Sequence, residues 1–340
     1  MIRFGCAVAA LLVGAAISSS ASAQTRQRTI DQVRAAGRLS CGIIVEQEDF
    51  TKSDTHGDLS GFAAPFCGAV AAAVLGDPLK VELKGFPDEG HALAAMKARQ
   101  IALLIGMTPD ATGALLHHLR FAPSIFIDGQ GFLVAKRLHL YAPVDLADHL
   151  VCYISETPAE DGLVDWSARK QVAIRHHPFE EIGEMEAALT SGNCDAITSS
   201  VSWLAGMRSG FHAMRDQFEI LPQMISIDPF APATRDDDPA WTAVVSDVVA
   251  ALVEAERTGV TRDAAGRLVG DATVTGPLMR PTPGLVSLLG LQDGWAARAV
   301  AASGNYGQIF AARAGETSPL RLARGANALW NQGGLIDGVR

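Results

Sequence analysis

Apolar positions follow two rhythms that alternate along the chain. Thr29–Gly37 sets Ile30 and Val33 between a Thr start and a Gly stop, the pattern of a short helix. Leu39–Val45 is then apolar enough for a buried strand. Phe62, Phe66, Ala69, Val70 and Ala73 return at helical spacing before Gly76-Asp77-Pro78 ends the run. A strand at Val81–Leu83, a helix at His91–Ala98 and a strand at Ile101–Ile105 continue the alternation. The same order recurs later: strands at Val151–Ile154 and Val172–Ile174, a helix at Glu184–Ser191 closed by Gly192, and a strand at Cys194–Thr198. Strands alternating with helices of this length predict a parallel, doubly wound α/β sheet, here twice over.

The stretch Leu104–Phe132 organises the first half. It reads as a strand ending in Gly106-Met107-Thr108, a helix, and a second strand entered through Asp128-Gly129-Gln130-Gly131. A strand that turns directly into a helix leaves backbone N–H groups at a cleft, a setting that attracts anions. Two extended segments, Gly131–Ala135 and Ile220–Thr234, run between the halves. Three prolines keep the second extended. Asp238-Pro239 opens an amphipathic helix with Trp241, Val244, Val245, Val248, Val249 and Leu252 on one face. From Asp263 the chain is Ala/Gly-rich and helical in pattern through Leu320–Trp330.

The fold class expected is therefore α/β, with two doubly wound lobes, two hinge strands and a helical C-terminal extension. The boundaries expected are 24–134 for the first part of lobe 1, 135–222 for lobe 2, 223–262 for the return hinge and the rest of lobe 1, and 263–340 for the extension. Residues 1–23 read as a secretory signal. Arg3 precedes an apolar run from Ala7 to Ile17, and a small-x-small exit predicts cleavage after Ala23, hence export to the periplasm. The run is shorter than the roughly 20 residues a membrane-spanning helix needs.

Composition narrows the function. A net charge of −9 with no Lys/Arg cluster disfavours nucleic acid and anionic membrane surfaces as partners. Cys6 leaves with the signal, and the remaining four cysteines allow three pairings. Cys41 and Cys67 fall in the first part of the chain, Cys152 and Cys194 in the middle, so pairing within each group is predicted, with no zinc site because C-x-x-C spacing is missing. The acidic run 46–58 lacks calcium-loop spacing and reads as a solvated loop. His117-His118 and His176-His177 are adjacent pairs, which read as surface histidines. The sequence holds no G-x-S-x-G, H-E-x-x-H or glycine-rich phosphate loop, so it is read as a non-enzyme that needs no cofactor.

The segments RLSCGI (38–43), GFAAPFCGAVAAAVLGDPLKV (61–81), FIDGQGFLVAK (126–136), SGNCDAIT (191–198), ILPQMISIDPFAPATR (220–235) and NYGQIFAARAGETSPLRLARGANALWNQGGL (305–335) resemble the periplasmic binding proteins of polar amino-acid ABC importers, in that family's order. Within it the chain is most similar to the general L-amino-acid binding subgroup. The resemblance implies a bilobed, type II-like binding protein that acts as a monomer, closes over a small polar ligand and delivers it to an inner-membrane ABC permease.

The resemblance also implies site residues. The family's G-M-T-x-T-x-x-R falls on Gly106 to Gly113, which keeps Thr108 but sets Asp110 at the second Thr and Gly113 at the carboxylate-binding Arg. The second-lobe G-T-T-x-E reads Glu156-Thr157-Pro158-Ala159-Glu160, the ammonium partner falls on Ser200, and Phe50 matches the covering aromatic. An Arg in the first lobe would fork onto an α-carboxylate; a carboxylate there instead repels one. The expected ligand is thus a cationic or polyhydroxylated solute and not a standard L-amino acid, set by Phe50, Thr108, Asp110, Glu156, Thr157 and Ser200. Two alternatives stay open. One is a ligand-free accessory protein of the same fold, of the kind that accompanies periplasmic dehydrogenases; the other is an amino acid bound through Arg120.

Overall fold

The computed structural model describes residues 28–45, 51–53, 59–269 and 285–338. The signal segment, the cleavage point after Ala23 and Phe50 lie outside the described residues, as does most of the acidic run 46–58.

The first lobe begins with α1 (Thr29–Ala36) and β1 (Leu39–Ile44). A ribbon of β2 (Thr51–Ser53) and β3 (Leu59–Gly61) precedes α2 (Ala64–Leu75), β4 (Val81–Phe86), α3 (Glu89–Lys97), β5 (Leu103–Met107) and α4 (Ala111–His117). β6 (Leu119–Phe121) and β7 (Phe126–Asp128) then lead to β8 (Gln130–Ala135). The second lobe continues through β9 (Leu150–Ile154), α5 (Pro158–Lys170), β10 (Arg175–Phe179), α6 (Ile182–Ser191), β11 (Ala196–Ser200), α7 (Val201–Gly210) and β12 (Phe218–Ile220). β13 (Asp228–Arg235) returns to the first sheet, followed by α8 (Pro239–Arg257), α9 (Arg262–Leu268), α10 (Leu285–Leu289), α11 (Trp295–Ser303) and α12 (Tyr306–Arg313).

Each lobe is built on one mixed sheet. The first has the order β4-β1-β5-β13-β6, with β7 also paired to β13; the second has the order β10-β9-β11-β8-β12. In both, the strands read from the β-α alternation run parallel, while a crossing strand, β13 or β8, runs antiparallel beside them. The chain leaves the first sheet between β7 and β8 and re-enters it on β13. There Asp128 pairs with Asp228, Ile127 with Pro229 and Phe126 with Phe230.

Side-chain alternation fills the second lobe from both faces. Phe132 and Val134 of β8 enter the core that holds Leu163 and Trp166, while Leu133 and Ala135 enter the one that holds Met185 and Leu204. Two disulfides lie inside the lobes: Cys41–Cys67 joins β1 to α2 with Cα atoms 6.1 Å apart, and Cys152–Cys194 ties β9 to the turn before β11 at 6.2 Å. Loops of 26 and 42 residues closed this way are each worth about 3–4 kcal/mol. Asp238 accepts the N–H of Trp241 at 3.1 Å at the start of α8, and the valine stripe behind it is buried against the first sheet.

Two elements differ from the expectation. The strand expected at Val172–Ile174 lies at Arg175–Phe179, where His176 and His177 take the ladder positions opposite Val151 and Cys152. Val172 and Ile174 pack against the second-lobe core, so their apolar signal reports packing and not the ladder. The helical pattern expected through Leu320–Trp330 stops at Arg313; beyond it the described residues form short 3-10 turns at Gly325–Asn327 and Trp330–Gln332. Gly315, Pro319 and Gly325 break the pattern there.

This terminal segment braces the crossing between the lobes. Asn327 Oδ1 accepts the Ile127 N–H at 2.8 Å, and its Nδ2 donates to the Ile127 carbonyl at 2.8 Å, so one side chain completes both backbone groups of β7. Arg324 stacks over the rings of Tyr306 and Phe310 and pairs with Glu256 at 3.0 Å. From the second lobe, Arg208 Nη2 donates to the Leu320 carbonyl at 2.7 Å and Arg215 Nη1 to that of Pro319 at 3.4 Å. Replacing Asn327 by Ala leaves a buried donor and acceptor unpaired, which costs about 2–4 kcal/mol in all. Urea unfolding of the Asn327→Ala protein is expected to report a loss of that size; a loss below about 0.5 kcal/mol, the range of ordinary surface substitutions, would show that the brace is not structural.

Candidate functional site

The carboxyl ends of β9 and β11, and the helices that start there, enclose a cavity of about 580 Å³ beside the crossing strands. Ligands of open α/β sheets bind outside the carboxyl ends of the strands, and this cavity occupies that place in the second lobe. A smaller cavity of about 400 Å³ lies between α8 and the terminal turns, away from any strand end.

Its polar wall is a hydrogen-bonded chain fixed to the hinge. Gln130, 7% exposed, donates through Nε2 to the Ala159 carbonyl at 2.7 Å and to Thr198 Oγ1 at 2.9 Å, and Thr198 Oγ1 donates to the Gly131 carbonyl at 2.8 Å. The Gln130 amide N–H donates to Ser226 Oγ at 2.8 Å, and Ser226 Oγ donates to Asp228 Oδ2 at 2.8 Å. Gln130 Oε1 lies 2.0 Å from where a Cβ on Gly162 would sit, so α5 can approach only with glycine at that position. Ile154, Ile182, Met185 and Trp203 give the opposite, apolar wall.

Of the expected site residues, Thr157 and Ser200 line this cavity. Thr157 sits at the start of α5, but its hydroxyl donates back to the Ile154 carbonyl at 2.7 Å and caps nothing. Glu156 is exposed with φ of 59° and stays out of the lining; its N–H donates to Glu160 Oε2 at 2.8 Å. Burial, the charge of Glu160 and a hydrogen bond to it push the Tyr153 hydroxyl up. Glu160 and Asp161 in the first turn of α5 already answer its positive end.

Thr108 and Asp110 belong to the first lobe, follow β5, are exposed and do not line the cavity. Asp110 is the N-cap of α4: its carboxylate accepts the N–H of Thr112 at 3.1 Å and that of Gly113. A Cβ on Gly113 would stand 2.8 Å from Asp110 Oδ2. The two departures from the family pattern meet in one local arrangement, with the Asp110 carboxylate lying over the Gly113 N–H. Arg120 is exposed on β6 and lines a separate cavity of about 460 Å³ with Pro239 and Asp247. Gln130, Trp203, Ser226 and Asp228 were missed as site residues. The available signal was an Asp within the second extended segment, Asp228, and another just before the first, Asp128.

One further carboxylate fixes the start of α7 beside the cavity. Asp128, 2% exposed, accepts the N–H of Gly129 at 2.9 Å, the N–H of Ser202 at 3.2 Å and the Ser202 hydroxyl. Burial pushes its carboxyl above the usual carboxylate range and the charge of Asp228 adds to the rise, while these hydrogen bonds pull it down. An acid raised on folding binds its proton more tightly in the native chain, so its contribution to stability is lost as pH rises from the unfolded value through the folded one. Asp128→Asn keeps acceptors for both N–H groups and removes the titration. The melting temperature of the variant minus that of the wild type is expected to grow more positive with pH across this acid window and level off above it; a difference independent of pH would refute the argument.

No protein-family model matches the chain. It is 33% identical over 338 residues to the general L-amino acid-binding periplasmic protein AapJ of Rhizobium johnstonii, covering 95% of each chain. It is 34% identical over 334 residues to the glutamate/glutamine/aspartate/asparagine-binding protein BztA of Rhodobacter capsulatus, covering 97% of this chain and 95% of that one. Among solved structures, an ABC-transporter periplasmic binding protein from Brucella ovis with glutathione bound matches with a TM-score of 0.73 and 32% identity, over 92% of this chain and 99% of that one.

Proposed function

The chain belongs to the periplasmic amino-acid-binding proteins of ABC importers, and within that family we propose that its cleft takes a small polar solute other than a standard L-amino acid, one bearing a cationic or polyhydroxylated group. Family membership makes it a non-enzymatic binding component located in the periplasm, where members deliver small polar ligands to a permease. The proposal includes export by a signal cut after Ala23, action as a monomer, and ligand contacts from Phe50, Thr108, Asp110, Glu156, Thr157 and Ser200.

The observation that carries the reading is the Asp110 cap. Its carboxylate already accepts the Thr112 and Gly113 N–H groups at the start of α4, where the family resemblance expects an α-carboxylate to be received. A second carboxylate at contact distance in a closed cleft would meet a repulsion on the order of several kcal/mol, with no Arg at position 113 to offset it. The Brucella relative, whose structure holds glutathione, supports a cleft of this scaffold that is not confined to single amino acids.

Thermal-shift measurements on the mature protein with amino acids, polyamines and sugars test the reading, since a ligand that binds only the folded chain raises the melting point by mass action. Strong shifts from standard L-amino acids alone would overturn it, and no shift from any solute would favour the accessory-protein alternative. Asp110→Thr with Gly113→Arg is expected to gain amino-acid binding; Gly113→Arg alone is expected not to, because the Asp110 carboxylate still holds the N–H groups at the start of α4.

A further inference from the structure

We propose that Asp228, on the strand that returns from the second lobe, receives a cationic group of the ligand, so that the solute class is an organic amine, guanidine or quaternary ammonium on a short apolar body. The inference rests on the solute-binding reading and narrows it. Asp228 lines the 580 Å³ cavity, and among the described lining residues it is the only one with an ionisable side chain. The other polar lining groups are amides and hydroxyls, from Gln130, Thr157, Thr198, Ser199, Ser200 and Ser226. Among the described lining residues there is no Lys or Arg to neutralise the carboxylate.

Its position suits the task. Asp228 stands opposite Asp128 in the β7–β13 register, and its charge adds to the rise in the carboxyl of Asp128 behind it. A cation entering the cavity meets the field of both. Ser226 Oγ donates to Oδ2 at 2.8 Å, which fixes the carboxylate in place. A low-dielectric wall concentrates that field: Ile154, Ile182, Met185 and Trp203 are apolar, and an indole face also attracts cations. A ligand carboxylate in the same space would face Asp228 with only neutral donors to meet it. The carboxylate therefore selects for charge, and the apolar wall selects for hydrocarbon next to that charge.

Calorimetric titration of the mature protein with agmatine, putrescine and choline, with trehalose and myo-inositol as neutral probes, tests the assignment. At least one cationic probe is expected to bind the wild type and to weaken about 10–100-fold in Asp228→Asn, the loss for one charged hydrogen-bonded contact. Asp228→Glu should restore most of the affinity. Ser226→Ala, which removes the supporting hydrogen bond but keeps the charge, should lose only a few-fold. Ser199→Lys, which places an ammonium in the same cavity, should abolish cation binding and keeps the test open should Asp228→Asn fail to fold. A cationic probe that binds wild type and a folded Asp228→Asn alike would overturn the assignment and leave the solute-binding reading intact. Binding of only neutral or anionic probes would overturn the ligand class, and binding of nothing in the full thermal-shift panel would sink both.

Discussion

The carboxylate of Asp128 accepts hydrogen bonds from the N–H of Gly129 and from the N–H and hydroxyl of Ser202. These contacts hold the start of α7 against the point where the chain leaves the first sheet. Two residues after Asp128, Gln130 spans to Ala159 at the start of α5 and to Thr198 on β11. Two helix starts and one strand of the second lobe are thereby positioned from one short hinge segment. A buried carboxylate is tolerated because three donors satisfy it, and leaving such a group unpaired would cost several kcal/mol. The cavity keeps its shape because its polar chain is satisfied link by link, from Thr198 through Gln130 and Ser226 to Asp228.

Charge is arranged unevenly around the cleft. On the first lobe, Asp110 uses the start of α4 for its own carboxylate. On the second, Glu160 takes the N–H of Glu156, and acidic residues fill the first turn of α5. A side chain takes the N–H groups at the start of α4, and acidic side chains answer the positive end of α5 without capping it. What the cavity presents instead is hydroxyls, one amide, one carboxylate and an apolar wall. A family scaffold can change its cargo in this way without moving a strand, because the substitutions act on short turns while the sheets stay satisfied.

Much of the architecture was legible in the order of residues. The valine stripe from Trp241 to Leu252 has one face and one cap, and each lobe repeats strand and helix at intervals that leave few other folds. The four cysteines divided by position alone. The edge strand was harder, because β10 carries Arg175, His176 and His177, whose polarity hides a ladder that needs only backbone groups. The terminal turns were misread because alanine-rich spacing mimics a helix until Gly315 and Pro319 interrupt it. The cavity lining was least legible: Gln130, Trp203 and Asp228 come from three separate segments that only the tertiary fold brings to one cavity. Local pattern gives each residue its element, but not the residues it will face.

Asn327 lies 200 residues beyond Ile127, yet it supplies that residue with both of its backbone partners. Arg208 and Arg215 of the second lobe reach carbonyls of the same terminal segment. The lobes are therefore not interchangeable parts joined by two strands. A recombinant that exchanged residues 129–227 with those of a shorter binding protein, one lacking this extension, would leave the carbonyls of Pro319 and Leu320 without their arginines. One that trimmed the extension would leave Ile127 open at the crossing. Shuffling between long and short relatives must move the second lobe and the C-terminal segment together, so the unit of inheritance here is discontinuous in sequence.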